Sequence, residues 1–182
     1  MLLVIGAIVC VLSVPLARGS LGRLADLDVR AIWTVLAAAA IQVIITSAVR
    51  GGSHELHVAL HVVSYALVFW FLIANRHLRG LPVLAAGVVL NTVAIAANGG
   101  VMPATRFALR VSGLDTSGGF ANSTSLAHPK LQFLGDVIPV PGPWPIGNVL
   151  SVGDLLIFTG ALILLHTACG SRLVRRPAAA AA

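Results

Sequence analysis

Charge is what this chain has least of. Only 10% of its residues are charged, and of the twelve basic ones only Lys130 is lysine. Soluble domains average about 25% charged residues, so an ordinary water-facing surface is not the expectation. The formal charge is +6, but the basic residues fall in short clusters beside apolar runs. A nucleic-acid protein gathers them on one face or stripe, so nucleic acid is not an expected partner. Cysteine is nearly absent. Cys10 and Cys169 stand near opposite ends with no Cys-x-x-Cys, which leaves thiol exchange and zinc ribbons without support. Gly-x-Ser-x-Gly, P-loop and dinucleotide fingerprints are missing too. His54-Glu55-Leu56-His57 is one residue short of the His-Glu-x-x-His metalloprotease pattern.

Apolar sequence is what remains. The chain is 58% hydrophobic, with a mean hydropathy of +0.96. A membrane-crossing helix needs about 20 mostly apolar residues. Five runs meet that length, at about 1–17, 31–49, 56–74, 81–97 and 151–169. The expected fold is therefore an all-α integral membrane protein, a bundle of five transmembrane helices forming one membrane domain over 1–182. Arginine and lysine set the orientation. Arg18, Arg23, Arg30, Arg76, Arg79, Arg172, Arg175 and Arg176 would share one side, and Arg50, Arg106, Arg110 and Lys130 the other. The larger set belongs in the cytoplasm, giving an N-out/C-in chain at the cell membrane. The first run is not flanked as a signal peptide is, because its basic residues follow it rather than precede it.

The 98–150 connection would be a long ordered outer loop. It carries Phe107, Leu109, Phe120, Phe133, Val137, Ile138 and Trp144, whereas disordered segments are poor in such residues. Arg106 and Arg110 lie four apart on one helical face, with Phe107 and Val111 on another, which predicts a short amphipathic helix. The two arginines read either as a solvated face or as a lipid-phosphate or anion clamp. Prolines at 139, 141, 143 and 145 enforce an extended path.

Asn98-Gly99-Gly100-Val101-Met102-Pro103, Phe133-Leu134-Gly135-Asp136-Val137-Ile138-Pro139 and Ser151-Val152-Gly153-Asp154 follow one another in this part of the chain. Their pattern resembles a family of small bacterial polytopic membrane proteins known only as a domain of unknown function. The resemblance implies several spans. It carries no activity, cofactor or catalytic residue.

Polar side chains within apolar runs are costly, so they mark sites by default. At about 1.5 Å per residue, the expected topology sets His57, His61, Gln42, Asn91 and Asp154 in the outer half, with Asn98 at the surface. His57 and His61 occupy adjacent turns of one face, a spacing that can hold a metal. Further ligands would come from His54, His128, Asp136 or Asp154. The candidate ligand-binding set is thus His57, His61, Asn91, Asn98, Asp136 and Asp154. Each has a plainer reading: Ser151-x-x-Asp154 as a capping pattern, Asn98 as a helix-end residue, Gln42 and Asn91 as interhelical hydrogen bonds. Three functions follow: an accessory component whose outer loop docks a membrane-protein partner among membrane lipids, a small-ligand or ion pocket, or a metal- or histidine-based enzyme. The absence of any catalytic motif favours the first. No cofactor is identified.

Overall fold

The computed structural model describes residues 2–47, 54–114, 123–124, 126, 128–142 and 147–174. Arg50, Phe120, Trp144, Arg175 and Arg176 lie outside the described residues. Helices occupy all five apolar runs: α1 (Leu2–Leu16), α2 (Ile32–Ser47), α3 (His54–Ala74), α4 (Leu81–Ala97) and, at the end, α6 (Val152–Ala168). A 3-10 turn (Leu21–Asp26) follows α1.

The five-span membrane bundle is overturned. Among the described residues no helix is long and apolar enough to cross a membrane. Length is the main reason. α1, α2, α4 and α6 have 15, 16, 17 and 17 residues, or about 23–26 Å at 1.5 Å per residue. A hydrocarbon core is about 30 Å thick. α3 has 21 residues, but its sequence opens with His54, Glu55 and His57 and then carries His61. The helices follow the apolar runs closely, ending a residue or two inside them for α1, α2 and α6. Nor is the fold all-α, since two small two-stranded sheets are present.

The most extensive helix contact joins α4 and α6, and four glycines make it possible. Gly80 and Gly87 are seven residues apart, as are Gly153 and Gly160, a spacing that puts each pair on one helical face. A Cβ on Gly160 would come within 2.7 Å of the Gly80 carbonyl oxygen, and one on Gly153 within 2.7 Å of the Gly87 carbonyl oxygen. The backbones therefore touch where side chains would hold them apart. Gly80 also sits at φ +91 as the N-cap of α4, followed by Pro82 in the first turn, where a missing N–H costs nothing. α2 packs on α3, and α1 on α6.

The described residues between 98 and 150 fold as a cap. Strand β1 (Met102–Pro103) pairs in parallel with β2 (Ser123–Thr124). Helix α5 (Arg106–Val111) starts at Thr105, whose hydroxyl accepts from the Ala108 N–H at 3.1 Å. Strand β3 (Ile138–Val140) pairs antiparallel with β4 (Asn148–Leu150). Ala104, Ala108, Leu109, Leu114 and Val149 form the small core of this cap. α5 is amphipathic in a different sense from the expectation. Ala108 and Leu109 face inward, while Phe107 is 68% and Val111 41% exposed alongside Arg106 and Arg110. The small Ala108 lets α5 sit close to the strands.

The glycine contact makes a direct prediction. Gly87→Ala and Gly153→Ala should each lower stability by about 1–3 kcal/mol, the usual cost of overpacking. Gly22→Ala, whose Cβ would meet only the Ser20 hydroxyl at 3.6 Å, should leave the thermal midpoint unchanged. Equal midpoints for all three variants would show that the α4–α6 backbones are not in contact.

Candidate functional site

Asn91, in the C-terminal half of α4, faces the start of α6. Its amide nitrogen donates to Asp154 Oδ1 at 2.8 Å, and its amide oxygen accepts from the Ser151 hydroxyl at 2.8 Å. Ser151 caps α6. Its hydroxyl accepts from the Asp154 N–H at 2.9 Å while Asp154 Oδ2 accepts from the Ser151 N–H at 3.0 Å, a reciprocal capping box. Both carboxylate oxygens of Asp154 and the oxygen of Asn91 are thereby engaged. Gly153 leaves the room that Asn91 occupies, since a Cβ there would collide with the Asn91 amide oxygen. This cluster locks the register of α4 on α6.

His61 belongs to a different helix pair. Its Nδ1 lies 3.3 Å from the Gln42 amide nitrogen of α2, which also donates to the Ser64 hydroxyl at 2.7 Å. The Gln42 nitrogen can only donate, so Nδ1 accepts and the ring hydrogen of neutral His61 is on Nε2. Ser64 donates in turn to the His61 carbonyl oxygen at 2.9 Å. The expected polar layer thus separates into an α2–α3 group and an α4–α6 group. His57 lies in α3, but its side chain is outside the described residues. Among the described residues no three His, Cys, Asp or Glu side chains converge as a metal site would require.

Asn98 closes α4. Its amide nitrogen donates to the Ala94 carbonyl at 2.8 Å and to the Lys130 carbonyl at 2.7 Å, and its oxygen accepts the Lys130 N–H at 2.8 Å. Asp136 is 5% exposed in the cap. Its N–H donates to the Pro103 carbonyl at 2.8 Å, and its carbonyl accepts the Thr105 N–H at 3.1 Å. Arg106 and Arg110 are exposed on α5.

Two polar arrangements have no counterpart in the sequence reading. Asn75, fully buried just past α3, repeats the chemistry of Asn98. Its nitrogen donates to the Phe71 and Arg30 carbonyls, each at 2.8 Å, and its oxygen accepts the Arg30 N–H at 2.7 Å. In each case the clamped residue is basic and the next residue is left-handed: Ala31 at φ 52 after Arg30, Leu131 at φ 51 after Lys130. Such a conformation costs a non-glycine residue about 1–2 kcal/mol, and the clamp offsets it. The second arrangement ties α1 to α6. Ser13 donates its hydroxyl to the Cys10 carbonyl at 2.7 Å, so it can only accept from His166 Nε2, 3.1 Å away. His166 Nδ1 then accepts from the buried Ser171 hydroxyl at 2.7 Å. A neutral ring with its hydrogen on Nε2 satisfies every atom. The nearby thiols are free and buried. Burial pushes both up, with Arg23 pulling Cys169 part-way back, so neither is poised as a thiolate. An asparagine directly after an apolar run, and glycines seven apart in two runs, were the available sequence signals.

A family profile described as a family of unknown function (DUF5317) matches residues 26–166. The chain belongs to that family. The matched span runs from the end of the 3-10 turn to His166 and so includes all three asparagine sites. An uncharacterised protein of Thermotoga maritima is 38% identical over 100 residues, which cover 55% of this chain and 58% of that relative. The chain thus spans under two thirds of the relative's length. No solved structure matches. Membership in DUF5317 brings no activity with it.

The two asparagine clamps can be tested separately. Asn98→Ala should abolish hydrogen-exchange protection of the Lys130 amide and leave the Arg30 amide protected, and Asn75→Ala should do the reverse. Asn75→Ala should also lower stability more, by about 2–3 kcal/mol, because it strands buried backbone groups. Unchanged protection of both amides in both variants would remove the clamps from the account.

Proposed function

We propose that this DUF5317 protein is an accessory component held at the cell membrane, working by docking a membrane-protein partner through the 98–150 cap rather than by turnover. The carrying observation is how its polar side chains are used. No buried side-chain nitrogen or oxygen among the described residues lacks a hydrogen-bond partner. Asn91, Asp154, Asn98 and His61 hold helices and loops together, and so supply few free groups to a substrate. The outward faces are instead apolar. Trp33, Leu36 and Val43 on α2, Val62, Trp70 and Ile73 on α3, and Leu12 and Leu16 on α1 are all more than half exposed. Apolar surface on that scale marks contact with lipid or protein. Such contact supports a membrane location without requiring any helix to cross.

On the cap, Phe107 and Phe133 are 68% and 67% exposed, and Arg110 lies one turn from Phe107 on α5. Aromatic side chains and arginine are the enriched anchors of protein interfaces. A photo-crosslinker at position 107 in cells should capture one membrane protein of constant mass. Phe133→Ser and Arg110→Glu should each reduce that adduct about tenfold or more, with the thermal midpoint unchanged, since such surface substitutions stay within about ±0.5 kcal/mol. Adducts to lipid alone would overturn the docking reading. A small molecule or metal that copurifies and is released by His61→Ala or Asn91→Ala would replace it with ligand handling.

A further inference from the structure

We propose that the end of the molecule where α1, α3 and α6 terminate is a docking surface for anionic phospholipid headgroups. The proposal rests on the membrane location above and adds which end faces the lipid and what that lipid carries.

Six arginines are exposed at this end: Arg18, Arg23, Arg30, Arg76, Arg79 and Arg172. Backbone contacts bring them together from distant parts of the chain. The Ser20 N–H donates to the Cys169 carbonyl at 3.0 Å and the Arg172 N–H to the Ala17 carbonyl at 2.9 Å, which seats the end of α1 against the end of α6. The Asn75 clamp places Arg30 at the end of α3, next to Arg76. His77 Nε2 lies 3.3 Å from the Asp28 carbonyl oxygen, binding the same two segments again. Arg79 then borders a depression of about 320 Å³ that it shares with Thr167, Gly170, Ser171 and Val174.

The acids available to this surface are Asp26 and Asp28, both exposed. Asp28 pairs with Arg30 at 3.3 Å, through side chains 75% and 62% exposed, so that pair is weak. Among the described residues no other arginine of the surface has a carboxylate within 4 Å. The positive field is therefore open to a partner of opposite sign, and guanidinium forks match phosphate oxygens.

A bilayer surface fits this end better than an acidic protein or a nucleic acid would, because of what stands behind the charge. Trp33 begins α2 one turn after Arg30, and Trp70 lies near the end of α3. They are 63% and 61% exposed. Tryptophan favours the boundary where one side is wet and the other apolar. One turn further along α2, Leu36 is also more than half exposed, as are Ile73 on α3 and Leu12 on α1. Leading into α2, charge at Arg30, tryptophan at Trp33 and an aliphatic side chain at Leu36 follow in the order in which headgroups, interface and acyl chains succeed one another, and along α3 Trp70 stands behind Arg76 with the exposed Ile73 between them. The far end offers only Arg106, Arg110 and Lys130 among the described residues, around a cap with its own core.

Flotation of the purified full chain would test the proposal, using vesicles of phosphatidylcholine alone and of phosphatidylcholine mixed with phosphatidylglycerol. Binding to the anionic vesicles should be more than about a hundredfold tighter, and should weaken as salt is raised. Each surface arginine contributes about fivefold, so Arg76→Gln/Arg79→Gln/Arg172→Gln should cost the anionic preference about a hundredfold. The variant should still float on phosphatidylcholine and unfold at the same temperature. Arg106→Gln/Arg110→Gln should leave the preference intact. Equal binding to both vesicles, or a preference that survives the triple change, overturns this inference and leaves the membrane location standing. Failure to float on either vesicle overturns the location itself.

Discussion

Backbone-to-backbone contact between α4 and α6 is the constraint on which the remaining structure leans. Gly80 against Gly160 and Gly87 against Gly153 bring two helices together without intervening side chains, and the Asn91–Ser151–Asp154 cluster stops them from sliding. Once that register is set, both ends of the pair are placed. At one end α4 delivers Asn98 to Lys130, and β4 runs directly into the Ser151 cap. At the other, Gly80 turns the chain into α4 while His166, Cys169 and Ser171 receive α1. Specificity at this seam comes in part from a few hydrogen bonds between part-buried polar groups.

The polar side chains share one economy. Asn75 and Asn98 each bond the carbonyl four residues back, then use the remaining amide groups to clamp the N–H and C=O of a remote basic residue. An asparagine amide presents one donor edge and one acceptor edge, and so mimics a strand partner for a single residue. That allows irregular segments with left-handed residues to be held without a sheet. Asn91, Asp154, Asn98 and His61 likewise each bond to another part of the chain.

The surface divides differently. Large apolar side chains stand outward on the long helices, arginines gather where α1, α3 and α6 end, and the cap presents aromatic side chains beside arginine. Interior chemistry that is satisfied and an exterior that is not make contact with other molecules the natural reading of the whole. The two ends differ in kind: one is a rim of charge with tryptophan behind it, the other a small folded cap.

Much of this was legible in the chain itself. The five apolar runs are helical because their residues leave few alternatives to an internally bonded backbone, and the short helix at Arg106–Val111 and the Ser151–Asp154 cap follow from local spacing and side-chain reach. Membership in an uncharacterised family, expected from the chain, is what the family profile finds. Hydropathy placed the helices to within about two residues but did not decide crossing: four of them have 17 residues or fewer, the fifth opens with His54, Glu55 and His57, and among the described residues none is long and apolar enough to cross a membrane. Which polar residues meet was beyond local reading. His61 joins Gln42 because α2 packs on α3, and Asn91 joins Asp154 because four glycines far apart in sequence let α4 close on α6. Spacing along a chain determines a helix face, but only the packing of one helix on another decides what that face touches.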